Sequence, residues 1–209
     1  MSEYLQEYPK LELVGPADPG LSEPASAVLL NEIESPRLQN IIDCMIELAR
    51  GTTNENRRMV GLAAPQVGVS ERIIIVDQQP TASEPDFKVY INPELLAKSD
   101  ERSENREGCY STDRVCGIVE RSDWVVVQAI DRHGSRMSPQ TVEDPFVARV
   151  IQHEIDHLDG IRFPDRITDD EKLLWVEHEE FPEFRHTWAA WPHKCSRERW
   201  EAIKAGEPQ

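Results

Sequence analysis

Cysteine is scarce in this chain: Cys44, Cys109, Cys116 and Cys195 lie far apart and form no CxxC pair. That argues against a disulfide framework and leaves each thiol to be judged by its own surroundings. Basic residues are also few, 23 Lys and Arg against 39 Asp and Glu, for a formal charge of -16. Direct nucleic acid binding is therefore not expected, because neutralising phosphates takes a surplus of cations. No apolar run is long enough to span a bilayer, and "MSEYLQEYPKLEL" has no basic n-region leading into an apolar h-region. The expected location is cytoplasmic, away from membranes. Internal repeats and low-complexity segments are absent as well. What is present is ordinary for a globular protein: 209 residues, 39% hydrophobic and 30% charged, enough for one domain with appendages.

Residues 10 to 28 are rich in Pro, Gly and Ser and read as extended or looped. "SPRLQNIIDCMIELAR" then spaces Leu38, Ile41, Ile42, Met45, Ile46 and Ala49 at helical intervals, with Ser35 as cap and Pro36 in the first turn. "RIIIVD", "FKVYINPEL" and "GIVERSDWVVVQAID" read as short strands, and "DRHGS" as a hairpin-type turn. A second helix runs through "DPFVARVIQHEIDHLDG", capped by Asp144 and stopped at Gly160. Strands followed by one mostly apolar helix predict an α+β fold. From residue 168 the chain changes character. Leu173 to Val176 read as the start of a helix, and three further tryptophans among prolines and charges read as an acidic tail packed on the main domain.

The second helix carries "HEIDH". Residues i and i+4 lie only about 40° apart around a helix axis, so His153 and His157 can face one metal ion. Glu154 is one position off and suits a base acting on water better than a ligand. Such an ion needs a third protein ligand. A histidine six residues beyond His157 would fall at 163, which is Phe163. Two candidates remain: Glu177, about twenty residues downstream, and Cys109 in "REGCYS", which follows Gly108 and precedes a polar stretch. Spacing alone favours Cys109 only modestly.

"VGLAAPQVG" (60 to 68), "EGCYS" (107 to 111) and "QHEIDHLDG" (152 to 160) occur in that order. Together they resemble the motifs GxGLAAPQxG, EGCxS and QHExDHxxG of the peptide deformylase family, and the likeness covers about residues 11 to 167. The resemblance implies small antiparallel sheets around a central helix, with residues 1 to 10 as an N-terminal segment and 168 to 209 as an extension. It implies a divalent metal held by Cys109, His153 and His157, usually ferrous iron, with zinc, nickel or cobalt able to replace it. The implied reaction removes the N-formyl group from the initiator methionine of new polypeptides and releases formate. The implied partners are formyl-Met nascent chains met at the ribosome.

By the same resemblance, Gln66 and the backbone N–H of Tyr110 stabilise the oxyanion. Val60, Gly61 and Gly108 approach the substrate backbone, with Val60 and Gly108 pairing to it as an added strand. Met59, Phe146 and Val150 wall the methionine pocket, and Glu107 supports the site with Arg149 as a buried pair. Met59 replaces the first motif glycine and is expected to narrow the pocket mouth. With Thr112 and Asp113 in place of a common proline nearby, it motivates an alternative: a deformylase-like enzyme for a specialised N-formyl compound. Cys44, Cys116 and Cys195 read as packing residues, His133, His178, His186 and His193 as solvated. The acidic tail argues against a basic ribosome-docking helix.

Overall fold

A computed structural model describes residues 11–51 and 58–207. The expected N-terminal segment, 1–10, lies outside the described residues. The helices are α1 (Pro36–Arg50), α2 (Pro145–Leu158), α3 (Phe181–Thr187) and α4 (Arg197–Lys204). The strands are β1 (Gly61–Ala63), β2 (Ile73–Asp77), β3 (Phe87–Lys98), β4 (Arg102–Gly108), β5 (Val115–Ser122), β6 (Val125–Ile130), β7 (Gln140–Val142) and β8 (Leu173–Trp175). They form two antiparallel sheets, ordered β1-β2-β3-β6-β7 and β4-β5-β8. The α+β class and the central helix expected from the sequence are what the chain adopts. Among the described residues, no helix is long and apolar enough to cross a membrane.

The local signals act as chemistry dictates. Ser35 Oγ accepts the Leu38 N–H at 3.2 Å to open α1, and Gly51, at φ 74°, closes it. Asp144 Oδ1 accepts the N–H groups of Phe146 and Val147 to open α2. β2 is buried along its whole length because both its faces are covered. Ile73 and Ile75 join the cluster built on α1, whereas Ile74 and Val76 join the one built on α2. Alternation is present in space but invisible in an all-apolar string.

The same effect explains one correction. Leu173–Trp175 is a strand, not the start of a helix; it pairs with β5 in the register Val115↔Trp175, Cys116↔Leu174 and Gly117↔Leu173. Leu173 and Trp175 face one cluster with Phe163 and Trp200; Leu174 and Val176 face another with Phe184 and Trp191. A continuous apolar run is what a strand covered on both faces requires. The segment after residue 168 thus contributes a strand to the second sheet as well as helices that cover it. Another departure is minor: the stretch expected to be extended contains a one-turn 3-10 helix, Pro19–Ser22, capped by Asp18.

Candidate metal centre

α2 runs between the two sheets. Its apolar face, including Val147, Val150, Ile151 and Ile155, packs with β2 and β6 residues, and its other face is tied to the second sheet by polar groups. Gln152 grips Ser122 at the end of β5 through both amide atoms, Oε1 from the N–H at 3.2 Å and Nε2 to the carbonyl at 2.9 Å. Arg149 Nη1 donates to the Val119 carbonyl at 2.8 Å. Between these contacts α2 turns His153 and His157 toward the loop after β4.

Cys109, His153 and His157 converge there, one ligand atom from each lying within 4.8 Å of the others. Cys109 Sγ stands 3.4 Å from His157 Nε2, against about 3.5 Å for S and N on one tetrahedral zinc-sized ion. One thiolate and two imidazoles form a donor set suited to iron or zinc. The rival ligand is elsewhere: the Glu177 carboxylate accepts from Trp175 Nε1 at 2.7 Å and from Arg114 at 3.1 Å. Among the described residues only the Cys109 group has metal-binding geometry.

The supporting charges are buried and paired. Glu107 is 6% exposed; it receives Arg121 through two 2.9 Å hydrogen bonds, Arg149 at 2.8 Å and His153 Nδ1 at 2.9 Å. With Nδ1 donating to Glu107, Nε2 is the ring atom that His153 would offer to an ion, giving up its proton there. The expected pairing of Glu107 with Arg149 is present, and these bonds occupy both carboxylate oxygens of Glu107. Sequence reasoning missed Arg121, and also Asp156, which bonds both Arg121 and Arg166. Asp156 carried a signal, since it lies inside "HEIDH"; Arg121 carried none.

Glu154 is buried, and its Oε2 has no hydrogen-bond partner among the described residues. Burial, only partly offset by the charge of His153, pushes its carboxyl up to about 7. Burial and the charges of His153 and Arg162 push His157 well down, which favours the neutral imidazole that a metal requires. Gln66 is held at one end, its Oε1 accepting the Ala63 N–H at 2.8 Å. Its Nε2 therefore points at Cys109 Sγ and Ser111 Oγ, each 3.2 Å away. Tyr110 opens the turn Tyr110–Thr112 directly after Cys109, with its side chain 47% exposed.

Other expected residues divide. Val60, Phe146 and the segment Gln78 to Ala82 line a groove of 460 Å³. Val150 is buried beneath Gly61, and a Cβ added at Gly61 would come within 2.6 Å of Val150 Cγ1 and 2.5 Å of Glu154 Oε1. Gly61 thus makes room for Glu154. Met59 is buried in the α1 cluster, its N–H bonded to the Ala49 carbonyl at 2.8 Å. Val60 has its carbonyl occupied by the Asp77 N–H at 2.9 Å, which leaves only its N–H to offer. Gly108 ends β4, a terminal strand of its sheet as β1 is of the other. Cys116 and Cys195 are buried, Cys44 is half-buried, and His133, His178, His186 and His193 are exposed.

Comparison with known proteins agrees with this geometry. The polypeptide deformylase family profile matches residues 11–173. A peptide deformylase of Treponema pallidum (strain Nichols) is 41% identical over 152 residues, 73% of this chain and 82% of that one. Peptide deformylase 2 of Nostoc sp. is 35% identical over 178 residues, 83% and 93% of the two chains. Among solved structures, the actinonin-bound class I type b peptide deformylase of Acinetobacter baumannii is similar at a TM-score of 0.65 and 36% identity, covering 77% of this chain and 100% of that one. The actinonin complex from Synechococcus elongatus gives a TM-score of 0.64 at 30% identity, with 89% and 91% covered.

Proposed function

The chain belongs to the peptide deformylase family, and from that premise we propose that Cys109, His153 and His157 hold one divalent ion while Glu154, Gln66 and the Tyr110 backbone carry the hydrolysis. The protein is a hydrolase that removes the N-formyl group from newly made polypeptides. One water is consumed, the formamide C–N bond breaks, and formate and a free amine result. The observation that carries the residue assignment is the meeting of three ligand atoms with the Oε2 of Glu154, unpartnered among the described residues, and the aimed Nε2 of Gln66.

The ion, ferrous iron first, with Zn2+, Ni2+ or Co2+ suited to the same donors, supplies Lewis acidity toward water and the formyl oxygen. Glu154 takes the water's proton and passes it to the leaving amine nitrogen. Gln66 Nε2 and the Tyr110 N–H donate to the oxygen that gathers charge at the formyl carbon. The substrate backbone lies as an added strand between the ends of β1 and β4, using the Val60 N–H and Gly108. Phe146 and Val150 flank the side chain of the first residue.

Residues 11–167 are read as the catalytic unit and 168–209 as an extension, of which residues up to 207 pack on it. Work on newly made chains puts the protein in the cytoplasm, where it meets them at the ribosome without a wholly basic docking helix.

The test is anaerobic purification with metal analysis, followed by formate release from formyl-Met peptides and from a panel of small formamides. Expected are one metal per chain and clear preference for the peptides. In Glu154→Gln the metal should stay while turnover drops by about 10²- to 10⁴-fold. Negligible turnover of every formyl-Met peptide would sink the substrate reading.

A further inference from the structure

We propose that the C-terminal helix α4 is a positioning element of the metal centre: by gripping the turn Phe163–Arg166 it holds the Phe163 ring against the imidazole of His153. The inference rests on the reading of His153 as a metal ligand. It concerns a segment that the metal chemistry itself does not use.

The turn follows α2 almost at once, and α4 holds it at several points. Arg197 donates to the Pro164 carbonyl at 2.7 Å and also to the Ile167 carbonyl. Asp165 Oδ1 accepts from both Trp200 Nε1, at 2.8 Å, and Lys204 Nζ, at 2.9 Å. Trp200 is fully buried in one cluster with Phe163, and Cys109 packs against that cluster. The guanidinium of the buried Arg162 lies 4.9 Å from the Trp200 ring centroid, and Arg162 also donates to Ser22 Oγ at 2.9 Å. Arg166, the last residue of the turn, is tied back to Asp156 on α2.

What the turn delivers is Phe163. Its ring is stacked on His153 at 6.0 Å between centroids and 26° between planes. Glu107 fixes the Nδ1 end of the imidazole, but one hydrogen bond leaves a ring free to tilt about the line of that bond. A flat apolar face packed alongside removes the tilt, and so sets where Nε2 points. His157 sits edge-on to His153 at 5.0 Å, so a tilt of one ring displaces the other.

The test uses the full chain loaded with Co2+, read by visible d–d absorption and by competition with a chromophoric chelator. Trp200→Leu and Phe163→Leu should each weaken Co2+ retention about 10-fold or more and shift the d–d bands in the same direction. Their effects should be less than additive in the double variant, because both act through one contact. Trp191→Leu, on the outer face of the second sheet, should lower the unfolding midpoint without moving the bands. If Trp200→Leu does not fold, Trp200→Phe takes its place in the cycle, keeping the packing and losing the donor to Asp165. A folded Trp200 variant with wild-type retention and bands, or strictly additive effects, would overturn the proposal. Cys109→Ala tests the underlying reading separately: Co2+ binding unchanged in that variant would refute the metal assignment, whatever Trp200 does.

Discussion

His153 donates from Nδ1 to Glu107 Oε2 at 2.9 Å, and the same carboxylate is clamped by Arg121 and Arg149. The imidazole is thereby presented to an ion in one tautomer by a group that cannot move away. The arginines and burial work against each other on Glu107: burial pushes its carboxyl up, but the bonds and charges of Arg121 and His153 win and hold it well below the usual range. Replacing Glu107 by Gln should lower metal affinity about 10- to 100-fold, measured by chelator competition. Glu107→Ala should also cost about 3 to 5 kcal/mol of stability in urea, because buried Arg149 loses its carboxylate partner and buried Arg121 is left with Asp156 alone. Equal unfolding midpoints for Glu107→Ala and the wild type would contradict this account.

Gly61 has no room for a side chain. A Cβ there would lie 2.5 Å from Glu154 Oε1, so Gly61→Ala must move the carboxylate, the strand or both. Expected is a loss in kcat of about 10²-fold, as for small misplacements of a reacting group, with a stability cost of about 1 to 3 kcal/mol. Gly15→Ala, where a Cβ meets nothing within 4 Å, is the control and should match the wild type in both assays.

Metal removal separates the two candidate third ligands. Cys109→Ala should abolish stoichiometric metal by elemental analysis. Glu177→Ala should retain it, losing the exposed pairing with Arg114 and the bond from Trp175 Nε1, with little change in the urea midpoint. A Glu177 variant that purified free of metal would restore the rival ligand.

Asp165 links α4 to the rest of the fold and sets an acid limit on that link. Burial pushes its carboxyl up, but the bonds from Trp200 and Lys204 and the Lys204 charge outweigh this and hold it below its ordinary value. A carboxyl lowered in the folded state stabilises above its unfolded pKa, about 3.9, and the contribution disappears as pH falls toward the folded value. Wild type should therefore lose more stability than Asp165→Asn between about pH 5 and pH 3, as followed by the urea midpoint. Parallel pH curves for the two proteins would show that Asp165 carries no such linkage.

Several elements were legible because their signals are local. Ser35 and Gly51 bound α1, Asp144 opens α2, and the i, i+4 spacing of His153 and His157 needs only helix geometry. The strand Leu173–Trp175 was misread because its buried faces belong to two clusters, and an apolar run looks alike in a strand and a helix. The surroundings of Met59 were not legible either: its place in the motif says nothing about which way its side chain turns, and it turns toward α1.

The sequence by itself determined the helix that carries the histidines, the base beside them and the three motif blocks, because those depend on residue type and short-range spacing. Spacing left the third ligand open between Cys109 and Glu177, with the motif resemblance pointing to Cys109, and nothing in the chain signalled Arg121 on Glu107, Gly61 beneath Glu154, or α4 behind Phe163. Only the tertiary structure decided these, since each is a contact between segments far apart in the chain. Which buried charge meets which partner is set by how the two sheets close around α2.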